Sequence, residues 1–287
     1  MYIAKDWKDY EILDMACGEK LERWGEVILV RPDPQIIWKD KTFPEKWKHT
    51  NARYIRSKTG GGKWQYHEKM PDTWTVKYKD LSFLIKPMGF KHTGLFPEQA
   101  VNWNWMIEKI QKAGRPIKVL NLFAYTGGAT VACAYAGASV CHVDSSKGMV
   151  SWAKENMKAS GLADKPVRYL VDDVIKFVNR EIRRGNTYDA IIMDPPSYGR
   201  GANGEVWQFE DNIYELVKLC KNVLSKDPLF FSINSYTTGI SANVLVNLLK
   251  LTMPKMCKGK YSCGEIGLPM KNSDLVLPCG IYGRWES

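Results

Sequence analysis

The strongest constraint on this chain is an alternation that begins near residue 117. Short apolar runs read as strands near 117–122, 139–143, 166–171, 188–193 and 228–233. Segments with helical spacing of apolar residues follow them near 128–137, 146–160, 173–184, 209–225 and 240–252. Strand and helix in strict turn argue a parallel sheet of βαβ units with helices on both faces. In such sheets ligands bind beyond the carboxyl ends of the strands, where the strand order reverses. The residues just after each strand are therefore the candidates for chemistry.

The first strand runs into Phe123-Ala-Tyr-Thr-Gly-Gly128. Paired glycines let a backbone approach a ligand where a side chain would collide. The loop lacks the Gly-x-Gly-x-x-Gly dinucleotide fingerprint, which weakens a nicotinamide reading. The second strand ends in Asp144, followed by Ser145. A carboxylate at this place can accept both hydroxyls of an unphosphorylated ribose; it can also cap the next helix. The third strand ends in Asp172-Asp173-Val174, where an acid can accept the exocyclic amine of adenine or, again, cap a helix. The fourth delivers Asp194-Pro195-Pro196-Ser197-Tyr198. Two prolines stiffen that loop and leave carbonyls to accept from a target base.

The first hundred residues have a different character. A strand is expected around 25–31, and runs at 73–78 and 81–86 flank Lys79-Asp80 as a β-hairpin. Residues 40–72 read as polar and glycine-containing. The formal net charge is +10, and part of the excess is local: Lys/Arg at 39, 41, 46, 48, 53, 56, 58, 63 and 69 face acids only at 40, 45 and 68. Trp38, Trp47, Tyr54, Trp64 and Tyr66 are interleaved with them. Cations neutralise phosphates and aromatic faces stack on unpaired bases, so this segment suits RNA. It also suits a solvated basic surface over a small β core. Gly60-Gly-Gly-Lys63 is not a P-loop, because Ser57 stands where the first glycine belongs and Trp64 where Ser/Thr belongs. The division expected is a β-rich basic accessory region over 1–88 and a larger domain over 89–287. A helix near 97–112 buries Ala100, Trp103, Met106, Ile107 and Ile110.

No apolar run approaches the ~20 residues of a membrane helix, and the N-terminus lacks a signal-type apolar segment, so the expectation is cytoplasmic without membrane association. Seven cysteines and four histidines form no Cys-x-x-Cys or metal-like cluster, and no metal is expected.

Taken together, Asn121 to Gly128, Asp144, Asp172 to Val174 and Asp194 to Pro196 resemble the class I S-adenosylmethionine-dependent methyltransferases, above all the branch that modifies large-subunit ribosomal RNA. Thr93-Gly-Leu-Phe-Pro-Glu-Gln99 is similar to that branch's Thr-Gly-x-Phe-Leu-Asp-Gln-Arg element. The likeness covers roughly 88 to 285. It implies a Rossmann-like, mostly parallel sheet with an antiparallel last hairpin at its edge, beside the small β-rich N-terminal region. It implies S-adenosylmethionine held by Phe96, Gln99, Asn121, Phe123, Ala124, Tyr125, Thr126, Gly127, Asp144, Ser145, Asp172, Asp173, Val174 and Asp194. It implies ribosomal RNA as partner. Three features depart from the branch. Ala100 replaces the final arginine of the Thr-Gly element, no PUA domain is recognisable before residue 40, and Ile233-Asn234 stands where carbon-5 cytosine relatives carry a nucleophilic cysteine. Direct transfer to a base nitrogen is then expected, with Asp194, Pro195 and Pro196 orienting the acceptor and Tyr198 stacking on it. In amino-methylating relatives the aromatic follows the prolines directly, whereas Ser197 intervenes here. A protein or small-molecule acceptor, or an RNA-binding assembly factor without activity, are the alternatives.

Overall fold

The computed structural model describes residues 1–57, 61–200, 204, 206–253 and 258–287. Lys58 and Gly60 of the basic segment and Cys257 lie outside them. Two units are formed: Tyr2–Val101 with Gly267–Cys279, and Asn102–Ile266 with Gly280–Ser287 and Met1. The division falls after Val101 rather than at 88, and the tip of the last hairpin belongs to the first unit.

After a short strand, Tyr2–Ile3 (β1), the first unit builds a five-stranded sheet. Its strands are Tyr10–Ala16 (β2), Glu19–Trp24 (β3), Val27–Pro32 (β4), Ala52–Arg56 (β5) and Gly62–Tyr66 (β6), in that order. Tight turns make β2, β3 and β4 an antiparallel meander, while β5 runs parallel to β4. A parallel return needs a long connection, and residues 33–51 supply it. That connection is anchored by the buried carboxylate of Asp14, which accepts from Phe43 N–H (2.9 Å) and Trp47 Nε1 (2.8 Å). Trp38 Nε1 donates to the Met15 carbonyl (2.6 Å), and Tyr54 meets Trp64 edge-on at 5.5 Å. Several aromatics of the basic segment thus serve a small β core, and its charges are what face solvent. Trp74–Tyr78 (β7) and Leu81–Ile85 (β8) form the expected hairpin, with Lys79 left-handed at φ 52°.

A 3-10 turn, Pro97–Gln99, leads into Ala100–Lys112 (α1). The second unit continues with Lys118–Leu122 (β9), Gly128–Tyr135 (α2), Ser139–Asp144 (β10), Lys147–Ala159 (α3), Val167–Val171 (β11), Val174–Arg184 (α4) and Ala190–Met193 (β12). A two-stranded ribbon follows, Tyr198–Arg200 (β13) with Val206–Gln208 (β14), then Phe209–Cys220 (α5), Phe230–Ser235 (β15) and Ala242–Thr252 (α6). Lys260–Pro269 (β16) and Val276–Glu286 (β17) end the chain.

The main sheet has the order β11-β10-β9-β12-β15-β17-β16-β1. Within it β9, β10, β11, β12 and β15 are mutually parallel where they pair, and β17 runs antiparallel to β15. The last strand therefore lies inside the sheet, with β16 and the unexpected β1 outside it. Order reverses between β9 and β12, which fixes the switch point. Leu120, Leu122, Val143, Ile191, Met193, Phe231 and Ile233 all face α4, α5 and α6 in one core. Their alternates, among them Asn121 and His142, turn to the opposite face, as period-two strands require. Among the described residues no helix is long and apolar enough to cross a membrane, and no group of three His, Cys, Asp or Glu could hold a metal ion.

Candidate active site

At the switch point β9 gives way to a loop wound through three left-handed residues: Phe123 (φ 53°), Tyr125 (φ 50°) and Gly127 (φ 83°). For non-glycine residues this costs about 1–2 kcal/mol each, so the surroundings must hold the loop. Ala124 N–H donates to the Val143 carbonyl (3.0 Å), Tyr125 N–H to Asp144 Oδ2 (2.8 Å), and the buried Asn156 donates through Nδ2 to the Thr126 carbonyl (2.8 Å). Asn156 was not legible in the sequence, because an asparagine on a helix announces no partner.

Asp144 ends β10 and accepts a second backbone N–H, from Ser146 at Oδ1 (2.9 Å). Ser146 is the N-cap of α3, its Oγ accepting from Met149 N–H (3.4 Å), while Ser145 precedes it. The helix cap is therefore neither Asp144 nor Ser145. Burial pushes the Asp144 carboxyl above its ordinary range against the pull of those two N–H groups.

The glycines have a packing reason as well. A Cβ on Gly127 would stand 2.8 Å from Ala153 Cβ, and one on Gly128 2.7 Å from Trp103 Cζ2. Both positions are filled by protein: α3 packs under the first and α1 against the second. Gly127→Ala is expected to destabilise the fold by about 1–3 kcal/mol through overpacking, adding to the cost of its left-handed φ. Thermal unfolding measures this, and an unchanged melting temperature would show that α3 can give way.

Asn121, expected to touch a cofactor, is buried and donates through Nδ2 to Thr130 Oγ1 (3.0 Å). Thr130 Oγ1 in turn lies 2.9 Å from His142 Nδ1. Burial lowers the His142 pKa to about 4, so the imidazole is neutral at pH 7. This polar chain fastens β9, α2 and β10 beneath the loop.

On β11 the two acids are spoken for differently. Asp173 is the N-cap of α4, accepting from Lys176 N–H (2.8 Å), which is the capping alternative. Asp172 pairs with Arg180 and donates its N–H to the Asp144 carbonyl (3.0 Å). Val174 is buried in the core cluster.

Beyond β12, Asp194 is half-buried and Pro195 buried. The Pro196 carbonyl accepts from Trp207 Nε1 (2.7 Å), which takes one of its two lone pairs. Trp207 also packs its ring on Phe123, 4.9 Å between centroids. Ser197 Oγ accepts from Thr237 Oγ1 (3.0 Å), tying the loop to the end of β15. Tyr198 opens β13 with 55% of its surface exposed. Near the end of β15, Asn234 is buried and accepts from Asn102 Nδ2 (2.9 Å). The second unit thus gathers Phe123 to Gly127, Asp144 to Ser145, Asp172 to Val174 and Asp194 to Tyr198 at the carboxyl edge of one sheet. Phe96 and Gln99 belong to the first unit, where Gln99 N–H donates to the Phe96 carbonyl (3.1 Å) and the Phe96 ring lies 5.2 Å from His92.

Residues 46–247 match the family described as S-adenosylmethionine-dependent methyltransferase. The SAM dependent methyltransferase from Agrobacterium tumefaciens has a solved structure that is 37% identical, with a TM-score of 0.93 over 99% of this chain and 92% of that one. Ribosomal RNA large subunit methyltransferase K/L of Marinobacter nauticus is 29% identical over 270 residues, 92% of this chain but 34% of that relative. The protein of the same name from Pseudomonas aeruginosa is 29% identical over 209 residues, 72% of this chain and 26% of that relative. The chain spans about a third or less of the length of these curated relatives. With most of its length matched by the family and its whole fold shared with a solved member, the chain belongs to the S-adenosylmethionine-dependent methyltransferases.

Proposed function

We propose that this methyltransferase acts on a base nitrogen of ribosomal RNA by direct transfer, with the first unit contributing RNA contacts. The observation that carries the acceptor is the match of 92% of the chain to a relative named for large-subunit ribosomal RNA. The positive charge displayed on the first unit agrees with it.

The residues present fit the cofactor. Each Asp144 oxygen accepts one backbone N–H, and a carboxylate has about four acceptor sites. Lone pairs therefore remain for two ribose hydroxyls. Phe123 to Gly127 would line the amino-acid end, and Asp172 with the backbone around Val174 the adenine end. Bound S-adenosylmethionine supplies a methyl group already electrophilic on its sulfonium, so the protein's task is alignment and desolvation. Asp194 accepts a hydrogen bond from the acceptor nitrogen and takes the proton that nitrogen sheds. The Pro195 carbonyl and the remaining lone pair of the Pro196 carbonyl, whose other is held by Trp207, help orient the base. Tyr198 offers an exposed ring on which an unstacked base can lie.

Direct transfer is favoured over a covalent route by the cysteines. Cys133, Cys141 and Cys220 are buried, and burial pushes their thiols up, Cys141 to about 11. Ile233 and Asn234 occupy the strand end beside the Asp194 loop.

Cofactor affinity is expected to fall in acid. Ribose hydroxyls donate to the ionised Asp144, so binding favours loss of its proton, and protonation opposes binding. Because burial raises this carboxyl, the loss should begin at higher pH than for an ordinary aspartate, as titration calorimetry across pH 4–7 would measure, roughly one proton being released per cofactor on the acid side. The acceptor is tested by nucleoside mass spectrometry of ribosomal RNA from cells with and without the gene. Loss of one methylated base, restored by the purified enzyme, is expected. Unchanged RNA together with methyl transfer to protein would overturn the RNA reading.

A further inference from the structure

In the first unit the face of the five-stranded sheet that carries Lys20, Glu22, Arg31, Tyr54 and Arg56 contains more charge than its packing needs. Cross-strand register puts Lys20 opposite Arg31 and Glu22 opposite Leu29. Glu22 is wholly buried and takes both forks of Arg31, Nε to Oε2 at 2.6 Å and Nη2 to Oε1 at 2.8 Å, with Tyr10 Oη at 2.6 Å. Lys20 Nζ lies 3.3 Å from Asp33. These groups balance one another.

Lys91 does not fit that balance. The loop bearing it is closed by Lys86 N–H to the Thr93 carbonyl (3.2 Å). It is pinned at two further points, Arg31 Nη1 to the Lys91 carbonyl (3.2 Å) and Trp64 Nε1 to the Met88 carbonyl (2.8 Å). Lys91 is half-buried, and among the described residues it forms no ion pair. Burial lowers its pKa, Asp33 acts against this, and the charges of Lys20, Arg31 and Arg56 lower it further. A partly desolvated ammonium whose one nearby carboxylate is shared with Lys20 can take up a further anion. Beside it, Phe90 exposes 47% of its surface and meets the ring of His92 edge-on at 5.9 Å. His92 is held neutral, near 3, by burial and by Arg31, Lys91 and Lys20. A half-buried cation on a pinned loop, next to an exposed ring, has the chemistry that receives a nucleotide: phosphate on the cation, base on the aromatic face.

We infer that Lys91, with Arg56 of the same sheet face, binds a backbone phosphate of single-stranded RNA, whose adjoining base stacks on Phe90. This site rests on the RNA reading of the acceptor above, and it is a docking site for the strand rather than part of the methyl-transfer machinery.

The test is fluorescence anisotropy with a fluorescein-labelled single-stranded RNA 12-mer, titrated at several salt concentrations, on the full chain. Lys91→Met should weaken binding about tenfold and reduce the slope of log K against log salt by about 0.7, the value for one phosphate on a single strand. Its melting temperature should be unchanged or higher, because a buried uncompensated charge is gone. Phe90→Ala should weaken binding at an unchanged salt slope. Lys158→Glu, on the exposed face of α3, should change neither affinity nor slope, and all variants should bind S-adenosylmethionine normally. If the native chain binds the RNA and Lys91→Met binds it with equal affinity and slope, the pocket is wrong while the RNA reading stands. If the native chain fails to bind RNA even at low salt, the acceptor reading fails first and takes the pocket with it.

Discussion

Asp144→Ala is expected to raise the dissociation constant for S-adenosylmethionine by about a hundredfold, on the order of 3 kcal/mol, as one or two charge-assisted hydrogen bonds are lost. The loss has two parts. Ribose hydroxyls lose their acceptor, and the left-handed Tyr125 loses the carboxylate that fixes its N–H at 2.8 Å. Asp144→Asn separates them, because the amide oxygen keeps one acceptor while the charge goes; it should fall between the native protein and the alanine variant. Calorimetry on all three, with thermal unfolding as a check on the loop, decides the matter. Unchanged affinity in Asp144→Ala would remove the ribose assignment.

Asp194→Ala is expected to lower turnover about 10²–10⁴-fold, the range for a positioned acid or base, while cofactor affinity changes less than about threefold. Asp194 follows β12 on a proline-stiffened loop whose Pro196 carbonyl is held by Trp207, so the loop itself should persist. Single-turnover rates with an RNA acceptor, set beside binding constants, separate the two quantities. Equal losses in both would mean that Asp194 holds the cofactor and does nothing for the acceptor.

The strands and helices after residue 117 were legible because apolar runs of the right length leave little choice of period. Shorter pieces were not. β13 and β14 have three residues each, too few for any periodicity, and β3, Glu-Lys-Leu-Glu-Arg-Trp, looks polar because its charges pair across the sheet. The hairpin of β5 and β6 was hidden in a segment whose cations dominate its composition. At the site, residue type under-determined role. Asp144, Asp172 and Asp173 all end strands, yet one takes two backbone N–H groups, one pairs with Arg180 and one caps α4. Gly127 and Gly128 read as room for a ligand, and they also make room for Ala153 and Trp103. Such distinctions depend on neighbours far away in sequence, which local pattern does not contain.

Trp207 carries one further consequence. Its Nε1 holds the Pro196 carbonyl while its ring rests on Phe123, so a single side chain spans the loop after β9 and the loop after β12. On the function proposed above, the donor's wall and the acceptor's wall are then one mechanical piece. Whatever settles Phe123 in its left-handed conformation also settles the Asp-Pro-Pro turn, and linkage makes the effect reciprocal. Filling either half of the site should then change the affinity of the other by one common factor, whichever ligand arrives first.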